Sequence, residues 1–318
     1  MKIGTKEIRR NGKTIEVPVL LIDNKEIIIT GKIIRIAQIC DQQWLESNQV
    51  ENPQSLIDAL KHTESKADIF TFSQQPPEIE PKFDYYMEWD NFAAIEIKSY
   101  NHWFKKQIYR GARRSIKKSI KKGVVVKLLD FDDDLVKGIS RIYDETPIRQ
   151  GKPFWHYGKN HDDVRDVNIT FLERSDFIGA FYADELIGFI KIVYVEKVAH
   201  MMQILSKLQH RDKSPTNALL AKAIEICAEK RISHLTYGNY VYHKKTTSSL
   251  TAFKRHNGFK KIDYPRYYVP LTLKGWIALK FKLHNKTNPI FELLPRKFIG
   301  SLLSLRTKFY AERYRQTT

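Results

Sequence analysis

The chain has 318 residues, 42% hydrophobic and 12% aromatic, which is enough apolar mass for a packed core and excludes a disordered chain. Its two cysteines, Cys40 and Cys227, form no CxxC pair, which excludes a disulfide framework and a structural zinc site. The net charge is +18 and uneven: Lys98 to Lys127 holds eleven Lys/Arg and no acid, and Leu271 to Thr318 holds ten against Glu292 and Glu312, so +19 lies in these two segments and −1 in the rest.

The start, "MKIGTKEIRRNGK", has no apolar run after its charges, so it reads as no secretory signal, and a cytoplasmic protein is the expectation. No apolar run reaches the roughly 20 residues that span a bilayer. "PVLLID", "EIIITGKIIRIAQI" and "ADIFTFS" read as strands, and "NPQSLIDALKHTES" as a helix with Asn52 or Ser55 near its start. "QQPPEIEP", Gln74 to Pro81, packs in prolines that continue neither element, so a linker is placed there.

"FDYYMEWDNFAAIEI" reads as a strand region. Phe104, Ile108, Ala112, Ile116 and Ile120 then recur every four residues, the seam of an amphipathic helix whose other positions are mostly Lys or Arg. Gly123 is placed to close it, and "VVVKLL" begins a strand. So this basic helix is built into a domain. Its charge suits a polyanion, whether nucleic acid, an anionic membrane surface or a phosphorylated substrate.

"LVKGISRIYDETPIRQ" predicts a helix ending near Pro147, followed by the loop "RQGKPFWHYGKNH". "DFIGAFY", "LIGFIKIVYV" and "VAHMMQIL" are joined by short turns and predict an antiparallel meander. A helix follows "SKLQHRDKSPTNAL", with Ser214 or Thr216 as its N-cap and Pro215 beside it. "SHLTYG" reads as a strand, "TTSSLTAFKRHNGF" as a helix closed by Gly258, and "KKIDYPRYYVPL" as a last strand pair.

The chain lacks GxGxxG, GxxxxGK[ST], HExxH and GxSxG, and its ten histidines show no metal spacing. No metal is therefore expected. What remains is an order: two helices, three antiparallel strands, a polar loop, a helix, a strand, a helix ending in Gly-Phe and a final strand pair.

That order, carried by "RRSIKKSIKKGVVVK", "YDETPIRQG", "ELIGFIKIVY", "PTNALLAKAIEICAEKRISHLTYG" and "AFKRHNGF", resembles the GNAT acyltransferase fold in its FemAB-like branch. The resemblance covers about Phe83 to Leu271. It implies an α/β (α+β) class with a mixed, mostly antiparallel sheet flanked by helices. The expected domains are 1–80, a short α/β segment or fragment of a first GNAT-like half; 81–271, the acyltransferase domain; and 272–318, a basic amphipathic helical tail.

It also implies N-acyl transfer from acyl-CoA, with aminoacyl-tRNA as the alternative donor, to an amine such as that of a cell-envelope or sugar precursor. The oxyanion donor would lie near Leu205 to Leu208. Lys207, Arg211 and Lys213 would add charge, and the helix start at Thr216 and Asn217 would offer amides to phosphate. Glu145, Tyr237 and His243 are the candidates for proton transfer, and Lys254 for binding substrate phosphate or the oxyanion. The loop "SKLQHRDKSPTNAL" lacks the glycines with which such enzymes hold the CoA pyrophosphate.

Two rivals stand beside this reading. One is an inactive GNAT-fold interaction module, which the glycine-free loop supports. The other is a nucleic-acid-binding protein acting through charge, although the aromatics are not interleaved with the basic run. In the tail, Phe298, Leu302, Leu305 and Phe309 fall on one helical face, with Trp276, Ile277 and Phe281 as another apolar patch. That pattern predicts reversible contact with an anionic membrane surface, and a peripheral position at its inner face.

Overall fold

The structure is a computed structural model and describes residues 2–10, 13–42, 49–64, 66–74, 79–241 and 248–284. In chain order the elements are β1 (Lys2–Arg10), β2 (Lys13–Ile22), β3 (Lys25–Thr30), β4 (Ile36–Ile39), α1 (Pro53–Lys61), β5 (Ile69–Ser73), β6 (Met87–Glu96), the single turn α2 (Tyr100–His102) and α3 (Arg110–Lys121). Next come β7 (Val125–Leu129), α4 (Asp133–Tyr143), the hairpin β8 (Ile148–Arg149) and β9 (Lys152–Pro153), α5 (His161–Ile169), β10 (Ser175–Tyr182), β11 (Glu185–Val195) and β12 (Val198–Ser206). The remainder is α6 (Pro215–Glu229), β13 (His234–Thr236), α7 (Ser249–His256), β14 (Lys260–Pro270) and α8 (Leu273–Lys280).

The chain divides into two compact units, Met1–Asp90 with Asp263–Thr318, and Asn91–Ile262. It leaves the first unit inside β6 and returns inside β14. The boundaries expected at 80 and 271 therefore move. Residues 81–90 and 263–271 fold with the N-terminal segment, as does α8, because the last strand completes that segment's sheet.

In the first unit the strand order is β1-β2-β3-β4-β5-β14, antiparallel throughout except for β4 beside β5. Leu20, Ile27, Ile29, Phe70, Phe72 and Tyr267 pack against Leu56, Ile57 and Leu60 of α1. Asn52 caps α1, its side chain accepting from the Gln54 amide at 3.1 Å. Two expectations change. The polar start of the chain is a strand; Asn11-Gly12, a favoured hairpin pair, stands between β1 and β2 in the sequence. "KKIDYPRYYVPL" is one strand and not two, with Pro265, Tyr267 and Val269 buried in alternation.

In the second unit the order is β6-β13-β12-β11-β10-β7, again antiparallel except for β12 beside β13. Alternate strand residues serve two cores. Ile178 and Ile190 meet α3 and α6, while Phe177 and Phe189 meet Leu135, Val136, Ile139 and Ile142 of α4. The meander forms as expected, with Ala183 and Asp184 at positive φ in its first turn.

The basic helix is shorter than predicted. Residues Trp103–Gln107 form a wide turn before it. Ala112, Ile116 and Ser119 are its buried residues, and Ile120 is 69% exposed. The cause is helical phase: four residues overshoot one turn of 3.6 by about 40°, so a strict four-residue repeat drifts off the buried stripe. α4 ends at Tyr143, short of Pro147, and α5 was not anticipated.

Candidate functional site

β12 and β13 run side by side for three residue pairs only, Val198–His200 against His234–Thr236. β13 then ends, and β12 continues to Ser206 along β11. Two parallel neighbours that part midway leave a notch between them. His200 Nδ1 lies 2.7 Å from Thr236 Oγ1 across the last shared pair, and burial pushes its pKa down to about 4.

Beyond the fork β12 carries a bulge. Lys191 faces Gln203 and Ile192 faces Met201, so Met202 is an extra residue. Bulges beside functional sites re-aim side chains. Here Gln203 meets the Tyr143 hydroxyl at 2.8 Å, and its Nε2 lies 3.1 Å from His156 Nε2. The Tyr143 phenol is pushed up to about 12 by burial. Gly188 lets the end of β12 close in, since a Cβ there would stand 2.9 Å from the Leu205 carbonyl oxygen and from Ser206 Cβ.

The end of β12 is gripped by Glu145. Its Oε2 accepts from the Leu208 amide at 2.7 Å and from Arg149 Nη2 at 3.0 Å, and its Oε1 accepts from the Gln209 amide at 2.9 Å. Arg149 also donates to the Ser206 carbonyl at 3.0 Å and the Ile142 carbonyl at 3.2 Å. The two side chains are only 14% and 13% exposed. Glu145 thus acts as a clamp from just beyond α4 onto the turn after β12, and both its oxygens are taken.

The residues expected to hold a donor divide. Leu205 is half-buried on β12, opposite Phe189. Lys207 is buried and paired with Glu185, whose carboxyl it holds below the usual carboxylate range. Lys213 pairs with Asp212 at 3.4 Å and stands 4.5 Å over the Tyr182 ring. Thr216 Oγ1 is 2.9 Å from Ser206 Oγ, tying the start of α6 to the end of β12. Asn217 donates to the Asn257 side chain at 2.9 Å. Arg211 is exposed. Ser214 stands at the N-cap in left-handed conformation without a side-chain cap bond, so the first turn of α6 begins uncapped.

The other arm of the fork belongs to Tyr237 and Lys254. Lys254 is fully buried on α7 and donates to the carbonyls of Tyr237 and Asn239, both at 2.7 Å. Its Nζ is 4.5 Å from the Tyr237 ring, and burial lowers its pKa to about 8. It fixes the chain just after β13. Glu145, Lys207, Leu205 and Thr216 therefore gather at the end of β12, and Tyr237 and Lys254 at the end of β13. His243 and the tail residues Phe298, Leu302, Leu305 and Phe309 lie outside the described residues. Among the described residues no His, Cys, Asp and Glu gather as a metal site.

Sequence reasoning missed His156, Gln203 and Asn257. A histidine in a loop and an asparagine after a helix carry no local signature, and they acquire partners only through the fold.

No family model and no curated protein matches the chain. Solved structures do. FemX matches over 88% of this chain and 90% of its own, with a TM-score of 0.59 at 10% identity. L-PGS from Bacillus licheniformis matches over 86% and 90%, with a TM-score of 0.54 at 13% identity. The chain has a GNAT/FemAB-like fold. In this chain β10, β11 and β12 are the antiparallel meander, α6 follows the polar loop, and β12 and β13 part at the fork.

Proposed function

We propose that the protein is an N-acyltransferase that moves an acyl or aminoacyl group from an activated, phosphate-bearing donor to an amine. The fork between β12 and β13 carries this reading. In this reading the acyl oxygen develops its charge at the edge of β12 beyond its last pair with β13, beside a bulge and a half-buried tyrosine. Attack by a neutral amine on the acyl carbonyl forms a C–N bond and breaks the bond to the donor's sulfur or ester oxygen. The amine proton leaves for a base, and the leaving group takes one. Tyr237 is the proton donor in this reading, and Lys254 positions it. The acceptor is the amine of a small molecule or of a cell-envelope or sugar precursor.

Acyl-CoA is the donor implied by the resemblance. One observation favours the second donor, aminoacyl-tRNA. The Leu208 and Gln209 amides, which begin the glycine-free loop, are bound by Glu145. Meanwhile Arg110, Arg114, Lys117, Lys118 and Lys121 have no acidic partner among the described residues and suit an extended polyanion. Calorimetric titration with acetyl-CoA, beside filter binding of an aminoacyl-tRNA at physiological salt, decides between them. Binding by either, followed by transfer to an amine, supports the enzyme. Silence from both overturns it in favour of an inactive interaction module.

A further inference from the structure

α8 inverts the usual pattern of a surface helix. Gly275, Ile277, Ala278 and Leu279 are buried, so the opposite face is the one that meets water. That face should be polar. Instead Leu273 is 38% exposed and Trp276 47%, and Phe281, just past the helix, is 43% exposed. Leu273, Trp276 and Lys280 stand at i, i+3 and i+7, one stripe on the helix. The cations lie with the apolar groups. Lys280 sits 4.9 Å over the Trp276 ring, and Lys282 is exposed. From residue 271 onward the sequence carries ten Lys/Arg against two acids.

We infer that α8 and Phe281 are a docking surface for an anionic lipid bilayer. Exposed Trp and Phe beside lysines match the apolar and charged layers of such an interface. The rings enter the headgroup region, and the ammonium groups stay level with lipid phosphates. A nucleic acid would use the cations but gain little from Leu273 and Phe281. A protein partner would not require the net positive charge that runs from here to the end of the chain. The face belongs to the first unit and includes no residue of the proposed reaction, so this inference does not rest on that reading.

The test is co-sedimentation of the full chain with vesicles of phosphatidylcholine alone and of phosphatidylcholine with phosphatidylglycerol. The wild type is expected to pellet with the anionic vesicles and not with the neutral ones. Trp276→Ser with Phe281→Ser is expected to weaken that binding about tenfold or more, since two large apolar side chains no longer leave water. Lys280→Glu with Lys282→Glu is expected to weaken it as well. Trp89→Ser is the control, because Trp89 is 55% exposed and lies on β6 and not on α8. All these positions are on the surface, and unchanged unfolding midpoints confirm folded variants. Equal pelleting with both vesicle types overturns the inference. So does full binding by the Trp276/Phe281 variant, or binding to a generic RNA hairpin without binding to vesicles.

Discussion

Glu145 Oε2 accepts the Leu208 amide at 2.7 Å, across 63 residues of sequence. A carboxylate so placed joins the C-terminal end of α4 to the turn that follows β12, and Arg149 balances its charge. Removing one partner of a nearly buried pair leaves the other uncompensated. Glu145→Ala is expected to lower unfolding stability by about 3–5 kcal/mol. Arg149→Met is expected to cost a similar amount, and the double variant less than the sum of the two. Urea denaturation of the three variants measures this; full additivity would show that the pair is not coupled.

Lys254 was expected from sequence to bind substrate phosphate or the oxyanion. Its ammonium satisfies two backbone carbonyls in a fully buried position. Lys254→Ala is therefore expected to lose stability, about 1–3 kcal/mol for each carbonyl left without its donor, together with any transferase activity. A variant with wild-type unfolding and no activity would return Lys254 to a role on the substrate alone.

His200 makes the fork sensitive to acid. Its folded pKa of about 4 lies below the ordinary value, so the folded protein holds fewer protons there than the unfolded chain between these limits. Its contribution is therefore present above about pH 6.5 and is lost as pH falls toward 4. His200→Gln is expected to show a shallower fall in denaturation midpoint from pH 7 to pH 5 than the wild type. Parallel pH curves for the two proteins would remove His200 as the cause.

The basic helix tests the helical-phase argument. Ile120→Ser is expected to change stability by less than about 0.5 kcal/mol, because the side chain is already in water. Ile116→Ala, in the buried stripe, is expected to cost about 2–5 kcal/mol. Thermal or urea unfolding of the two variants, side by side, reads the difference.

These residues also show how far the sequence was legible. The meander, the helix start at Asn52 and the closing glycines were readable because each depends on near neighbours: alternating apolar residues, a cap, a positive φ. Ile120 was misplaced because a repeat of four resembles a repeat of 3.6 over two turns and departs from it over three. The division into units was not readable, since a strand gives no sign of which sheet it joins. The roles of Glu145 and Lys254 were hidden for a related reason. Their partners are backbone groups far away or beyond a turn, and a backbone amide or carbonyl looks the same at every position.

Gly188 adds a steric prediction. Gly188→Ala would set a methyl group 2.9 Å from the Leu205 oxygen, and 3.2 Å from Leu219 Cδ1, in a packed interior. A loss of about 1–3 kcal/mol is expected by urea denaturation. Wild-type stability would show that the end of β12 moves freely.

Met202 works as a phase shifter in β12. Strand side chains alternate with a period of two, so one surplus residue exchanges inside and outside for everything after it. Upstream of Met202 the alternation seats Ala199 and Met201 in the core; downstream it presents Gln203 to Tyr143 and sets Leu205 beside Phe189. The functional end of the strand is thus written in a different parity from its structural beginning. Were Met202, which contributes no group to the proposed chemistry, paired like its neighbours with no bulge, Gln203 and Leu205 would turn to the face of Ala199 and Met201 and the fork would lose them.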